Sequence, residues 1–243
     1  MTKIMIATPA FSGKVNIQYA LSYANTVVLL AQHGIVVESR VVASGSLLCA
    51  ERNRLVQSFW ESDCTHMLCI DSDLGWPPEA VLAMLNSQKE FVVGCYPARG
   101  ESGVFIFRPD LNPDGTIVQE KRLLRMKYVP AGFMLITRST IAKMREKHPQ
   151  LYYEPKDPRN NPEPGYAFFN TEVWNGEFWG EDFIFCRYAM EAGVEIWADP
   201  LIQFDHDGTI GMLIECLKRP EELPPEKMKQ NIQDAQQTMS EAA

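Results

Sequence analysis

Residues 3–96 switch repeatedly between two hydrophobic periods, and that switching leaves the chain few folds to choose from. Apolar runs at Lys3–Thr8, Ile35–Val42, Thr65–Ile70 and Phe91–Tyr96 have strand length, and the first stops at Pro9. Between them the apolar residues recur every three or four positions. Asn16 can cap a helix whose apolar positions are Ala20, Leu21, Ala24, Val27, Val28 and Ala31, and Gly34 closes it. A second helix is expected from about Leu48 to Glu61, with Leu55, Val56, Phe59 and Trp60 on its apolar face. Gly45-Ser46 turns the chain into it. A third helix opens at Pro77-Pro78-Glu79, since proline suits a first helical turn. This βαβαβαβ order predicts an α/β domain, a mostly parallel central sheet flanked by helices. Ligands of such sheets lie beyond the carboxyl ends of the strands. The rule points to Pro9, Gly45 and Asp71-Ser72-Asp73.

The second half is less regular. Gly103–Phe107 and Lys127–Pro130 are short strand candidates, Phe133–Thr137 is a strand, and Ser139 is the expected cap of a helix reaching Lys147. From His148 to Gly165 proline, asparagine and charge predict an extended loop. Glu181–Ala192 reads as a helix ended by Gly193, and Val194–Trp197 as a strand. The expected division is one domain over 1–218 and a helical or flexible tail over 219–243, which is rich in Pro, Glu and Gln.

Charge narrows the function. Thirty-one acidic against 23 basic residues give a formal charge of −8. Sequence-blind binding to nucleic acid or to an anionic membrane wants a basic field instead. An acidic protein can still hold a diphosphate through a divalent cation. The six cysteines form no C-x-x-C pair and several lie in apolar runs, so buried free thiols are expected. The N-terminal apolar run is too short for a signal peptide, and no apolar stretch has membrane-spanning length, which predicts a soluble, cytoplasmic protein.

Four clusters carry chemistry. Asp71-Ser72-Asp73 follows the apolar run His66–Ile70 directly. Two neighbouring carboxylates repel unless a cation such as Mg²⁺ or Mn²⁺ neutralises them; the same residues also make ordinary turns and caps. Ala50-Glu51-Arg52-Asn53-Arg54 offers guanidinium groups to a phosphate, or else a solvated helix face with ion pairs to Glu51 or Glu61. Trp179-Gly180-Glu181-Asp182 opens a helix with two acids, either as a cap or with one carboxylate as a general base. Trp174, Phe178 and Trp179 are then a wall for a sugar, or core. Asp205-His206-Asp207 suits a metal ligand whose tautomer is fixed by a carboxylate, or else an ordinary surface histidine in a loop. His33, His66 and His148 have no such setting.

In order and spacing these residues resemble a GT-A glycosyltransferase, the nucleotide-sugar-dependent, Rossmann-like kind. The resemblance runs through Thr8-Pro9, Ala50-Glu51-Arg52-Asn53, Asp71-Ser72-Asp73, Val129-Pro130-Ala131-Gly132-Phe133, Gly180-Glu181-Asp182 and His206, covering roughly residues 3 to 210. It implies a GT-A-like domain that binds Mn²⁺ or Mg²⁺ and a nucleotide-sugar donor, UDP-linked by expectation, and transfers the sugar to an acceptor hydroxyl. Carried over residue by residue, it implies Asp71, Asp73 and His206 as metal ligands, with Asp71 facing the metal or ribose. Asp182 is the implied base, with Glu181 beside it. Thr8 and Pro9 fall near the nucleobase, and Arg52, Ser72 and Gly132 in the donor site. The segment around Gly132 has one glycine where many members have two. Three other readings compete: a glycosyltransferase acting on hydroxymethylated DNA bases, for which Lys121–Lys127 supplies a basic run, although that run also suits an exposed loop; a nucleotidyltransferase, whose glycine-rich loop is only faintly present in Ala10–Lys14; and a binder of nucleotide sugars without catalysis.

Overall fold

A computed structural model describes residues 1–43, 47–101, 103–156 and 163–218. In chain order the elements are β1 (Lys3–Ala10), α1 (Ile17–Gln32), β2 (Val36–Ala43), α2 (Leu48–Glu61), β3 (His66–Ile70), β4 (Leu74–Gly75), α3 (Glu79–Asn86), β5 (Phe91–Val93), β6 (Arg108–Pro109), β7 (Gln119–Glu120), β8 (Leu123–Tyr128), β9 (Phe133–Thr137) and α4 (Arg138–Lys147). There follow β10 (Tyr152–Tyr153), β11 (Gly165–Tyr166), β12 (Glu172–Trp174), β13 (Glu177–Trp179), α5 (Glu181–Glu191), β14 (Ile196–Ala198), β15 (Gln203–His206), β16 (Thr209–Met212) and α6 (Leu213–Lys218).

Nine strands share one sheet in the order β2-β1-β3-β9-β5-β14-β8-β6, with β7 on β8. β1 is parallel to β2 and β3, and β5 to β14. β9 runs antiparallel between β3 and β5, and β8 antiparallel to β14, β6 and β7. All strands except β9 and β8 therefore point one way, as the alternation predicts. Side chains alternate across β1: Ile4 and Ile6 pack with α1 and α3, Met5 and Ala7 with α2, α4 and α5. Each fully buried large side chain, Phe59 or Phe185 for example, contributes about 1.5–3 kcal/mol by leaving water.

Several local expectations are corrected. β1 does not stop at Pro9; it continues to Ala10, because β3 pairs only as far as Ala7 and leaves one flank of Pro9 without a ladder. The cap of α4 is Thr137, whose hydroxyl accepts from Thr140 N–H, while Ser139 instead donates to Glu90. Gly103–Phe107 makes a single bridge, Phe105 to Pro97, and β5 ends at Val93 rather than Tyr96. The basic run at 121–127 is mostly strand β8, not a loop, since Leu123, Leu124, Met126 and Tyr128 are buried. Three of its four cations are paired: Arg122 with Asp199, Arg125 with Asp110 and Glu195, Lys127 with Asp110. Part of the long loop folds as the β10–β11 pair. Helix α1 turns the other way from its apolar pattern: Tyr19, Thr26 and Leu30 are buried, and Leu21 and Val28 are exposed.

Five of the six cysteines are buried free thiols and Cys49 is half-buried. Among the described residues no helix is long and apolar enough to cross a membrane. The Gly45-Ser46 turn and the tail at 219–243 lie outside the described residues.

Candidate active site

The insertion of β9 beside β3 builds the centre of the site. Ile70 pairs with Phe133, so the residues just outside the sheet, Asp71 and Gly132, become neighbours, and Asp71 N–H donates to the Gly132 carbonyl at 2.9 Å. A Cβ on Gly132 would lie 2.4 Å from Asp71 Oδ2 and 2.3 Å from Tyr96 Oη, so only glycine fits between them. Tyr96 Oη accepts from Gly132 N–H at 3.2 Å and lies 3.4 Å from Asp71 Oδ2.

Arg52 projects from α2 into this cluster and is buried. It donates through Nη2 to Asp71 Oδ1 at 2.9 Å and through Nη1 to Glu181 Oε1 at 3.0 Å. Burial opposes its charge, but the Asp71 and Glu181 carboxylates outweigh that and raise its pKa. The Phe169 ring lies 5.6 Å from the guanidinium carbon. Asn53 fixes that ring in place with two hydrogen bonds to the Phe169 backbone, both 2.8 Å. Arg52 thus joins the end of β3 to the start of α5; its fork is committed to protein carboxylates rather than turned to a phosphate. Arg54 pairs with Glu51, but Glu51, Arg52 and Asn53 are all buried, so the segment is not a solvated helix face.

Asp73 turns away from Asp71. Its Oδ2 lies 3.5 Å from His206 Nε2 and pairs with Arg99. The Pro97 carbonyl can only accept, so the 2.7 Å contact at His206 Nδ1 places the proton on Nδ1 and leaves Nε2 facing Asp73. The hydrogen bond with His206 lowers the Asp73 pKa, and Arg99 adds to that; the same bond raises that of His206. The pairing of β15 with β4 holds His206 there, matching it to Leu74. Asn16 ties the corner together: its N–H donates to the Ser72 carbonyl at 2.8 Å and its side chain to Asp207 at 2.9 Å.

Asp182 opens α5 behind Gly180. Its Oδ1 accepts from Phe183 N–H at 2.8 Å. Burial, aided by the neighbouring Glu181 charge, pushes its pKa up to about 6. Its field also reaches Tyr96, which burial raises well above the usual tyrosine range.

The expected residues therefore gather at the carboxyl ends of the strands, but not as a single ligand set. Asp71, Gly132, Arg52, Glu181 and Asp182 form one group, and Asp73 with His206 another. The expected metal triad of Asp71, Asp73 and His206 does not assemble, because Arg52 and Tyr96 take up Asp71. Among the described residues the one trio of His, Cys, Asp or Glu donor atoms within 4.8 Å of one another is Glu38, Asp63 and Cys64, and Lys3 already pairs with both of its carboxylates. Asp73 and the fixed His206 nitrogen do suit a divalent ion, as one hard oxygen and one imidazole donor. Thr8 is fully buried and shares a 2.5 Å hydrogen bond with Tyr19 instead of facing a ligand, and Pro9 is buried beside it. Trp179 is core, packed on Tyr128 and Trp174, while Phe178 is exposed. Tyr96, Arg99 and Asn16 belong to the site without any motif announcing them; their segments carry no paired charge or spacing that separates them from other loops.

Fold and site together define a Rossmann-like α/β domain with acidic clusters at its strand ends. No protein-family model matches the chain, and no curated protein matches it significantly. Among solved structures, A197 from STIV is similar over 87% of this chain and 94% of its own, at 15% identity and a TM-score of 0.50, a likeness of fold alone. A Bacillus anthracis protein assigned as a glucose-1-phosphate thymidylyltransferase, solved in complex with sucrose, overlaps 92% of this chain and 96% of its own at 12% identity and a TM-score of 0.40.

Proposed function

We propose that the protein is a metal-dependent glycosyltransferase that moves a sugar from a nucleotide-diphosphate donor to an acceptor hydroxyl with inversion. The observation that carries this reading is the division of labour among the site's carboxylates. Asp182 is half-buried with its pKa pushed up to about 6, a value suited to taking a proton near neutrality. Asp73 stays anionic between Arg99 and His206, whose Nε2 faces it. Asp71 and Glu181 share the single positive charge of Arg52.

In the proposed step the acceptor oxygen forms a bond to the anomeric carbon as the bond from that carbon to the diphosphate oxygen breaks. The acceptor proton passes to Asp182, and the electron pair leaves with the diphosphate. Asp73 and His206 would hold a Mn²⁺ or Mg²⁺ ion, which when bound supplies charge stabilisation for the leaving diphosphate. Gly132 keeps the backbone close to Asp71. The donor is expected to be a UDP-sugar, on the resemblance described above.

The test is a thermal-shift panel of nucleotide sugars with and without Mn²⁺, followed by product analysis. A shift from one donor that requires metal, and an inverted product, are expected. A retained configuration would remove Asp182 from the role of base. Pyrophosphate release from a nucleoside triphosphate and a sugar phosphate would mark a nucleotidyltransferase instead.

A further inference from the structure

Asp71 and Asp73 are each matched to an arginine, and the two matches differ in kind. Arg52 is 5% exposed and divided between Asp71 and Glu181, so displacing it would strand charge inside the protein. Arg99 reaches Asp73 from outside. Its Nη2 donates to Asp73 Oδ2 and its Nε lies 3.7 Å from Asp207 Oδ2, yet its side chain stays 60% exposed. An exposed pair of this kind is worth about fivefold at most in an equilibrium constant, so another cation can displace it.

The oxygen that Arg99 holds is also the one that faces His206, whose Nε2 lies 3.5 Å from the same Oδ2. Two donors each about 2.1 Å from one ion stand about 3.0 Å apart at an octahedral angle and about 3.4 Å apart at a tetrahedral one. The aspartate and histidine are therefore spaced for a divalent ion, with a guanidinium on the oxygen instead. The segment carrying Arg99 is anchored by its backbone. The Pro97 carbonyl lies 2.7 Å from His206 Nδ1, Gly100 N–H donates to Thr209 Oγ1 at 2.9 Å, and Ala98 N–H donates to the Val104 carbonyl at 2.7 Å. The Arg99 side chain can leave Asp73 while all three contacts, and the setting of His206, stay in place.

We propose that Arg99 is an exchangeable cation: it neutralises Asp73 in place of a divalent ion, yields Oδ2 when the ion arrives, and turns its guanidinium to the diphosphate. This rests on the metal site proposed above but not on sugar transfer. Asp207 keeps the released side chain at the site, and the planar fork of an arginine matches two phosphate oxygens at once. Arg52 cannot serve, because both arms of its fork hold carboxylates. Arg99 therefore opposes the ion alone and favours the ion together with diphosphate, two couplings of opposite sign.

Calorimetric titration of the full chain with Mn²⁺ alone, then with inorganic pyrophosphate at saturating Mn²⁺, reads both couplings without a sugar donor. Arg99→Ala should tighten Mn²⁺ binding about two- to fivefold and weaken pyrophosphate binding about tenfold or more. Its metal-free melting temperature should stay within about 4 °C of the parent's, since the lost pair is exposed. A crystal structure of the parent with Mn²⁺ and pyrophosphate should place Arg99 on the phosphate. Unchanged or weaker Mn²⁺ binding in Arg99→Ala would make Arg99 a mere support for Asp73 and overturn the inference. So would unchanged pyrophosphate binding, Arg99 still on Asp73 in the loaded crystal, or no Mn²⁺ binding by either chain. Failure of every nucleotide sugar in the donor panel strikes the transferase reading instead and leaves these titrations standing.

Discussion

Replacing Arg52 with methionine keeps most of the side-chain volume and removes the cation between Asp71 and Glu181. The Arg52 side chain is 5% exposed, while those of Asp71 and Glu181 keep 26% and 20% exposure. Breaking a fully buried pair by removing one partner costs about 3–5 kcal/mol. Water reaches part of both carboxylates, so the lower end applies, about 3 kcal/mol, made up of two charge-assisted hydrogen bonds and the repulsion released between the acids. For a chain of this size each kcal/mol is worth about 2–4 °C, so Arg52→Met should lower the melting temperature by about 6–12 °C. Calorimetry on Arg52→Met, Glu181→Gln and the double variant separates the terms. Once Arg52 is gone, Glu181→Gln removes a bare charge, so the double variant should be at least about 1 kcal/mol more stable than the sum of the single losses. A drop below about 2 °C for Arg52→Met, or simple additivity, would refute the view that one guanidinium holds the two acids.

Three further outcomes are expected. Asp182→Asn should abolish sugar transfer while keeping donor binding. Its folded pKa of about 6 exceeds the unfolded 3.8, so the native state holds the extra proton and wild-type stability declines as pH rises from about 4 to 6. The asparagine variant should escape that decline and gain up to about 3 kcal/mol at pH 7, a gain that vanishes below pH 4; parallel melting curves against pH would sink the assignment. Gly132→Ala should cost about 1–3 kcal/mol through its clash with Tyr96 and Asp71, and Tyr96→Phe in the same chain should return part of it, as measured by thermal melts. His206→Ala should leave the fold intact and weaken any Mn²⁺-dependent stabilisation roughly tenfold or more, read by metal titration of the melting temperature.

Much of the architecture was legible because strand and helix periods differ so sharply in the first half of the chain. The acids were legible for a related reason: Asp71 follows an apolar strand and Asp182 opens a helix, so their positions in the fold come from local pattern. What Asp71 does was not. The Arg52 segment reads as a solvated helix face, and only the return of α5 and β9, from more than a hundred and about eighty residues away respectively, buries that arginine between two carboxylates. Helix α1 misleads for a different reason. Its aliphatic residues have core-like spacing, but Thr8 and Trp76 offer partners to the hydroxyls of Tyr19 and Thr26, so the fold takes the polar face inward. Periodicity counts apolar residues; it does not see which buried polar groups await a mate.

The pairing of Asp73 with His206 depends on a sheet of its own. β4 is only two residues long, and β15, which pairs with it, arrives some 130 residues later with β16 on its other side. Fraying of this three-stranded patch would part Asp73 from His206 while all nine strands of the main sheet stayed zipped. The two residues therefore share a lifetime with the Leu74–His206 register, which the buried Leu74 and Phe204 tie to the core. Native-state hydrogen exchange at those amides would clock how long the pair stays closed and whether it opens before the main sheet does.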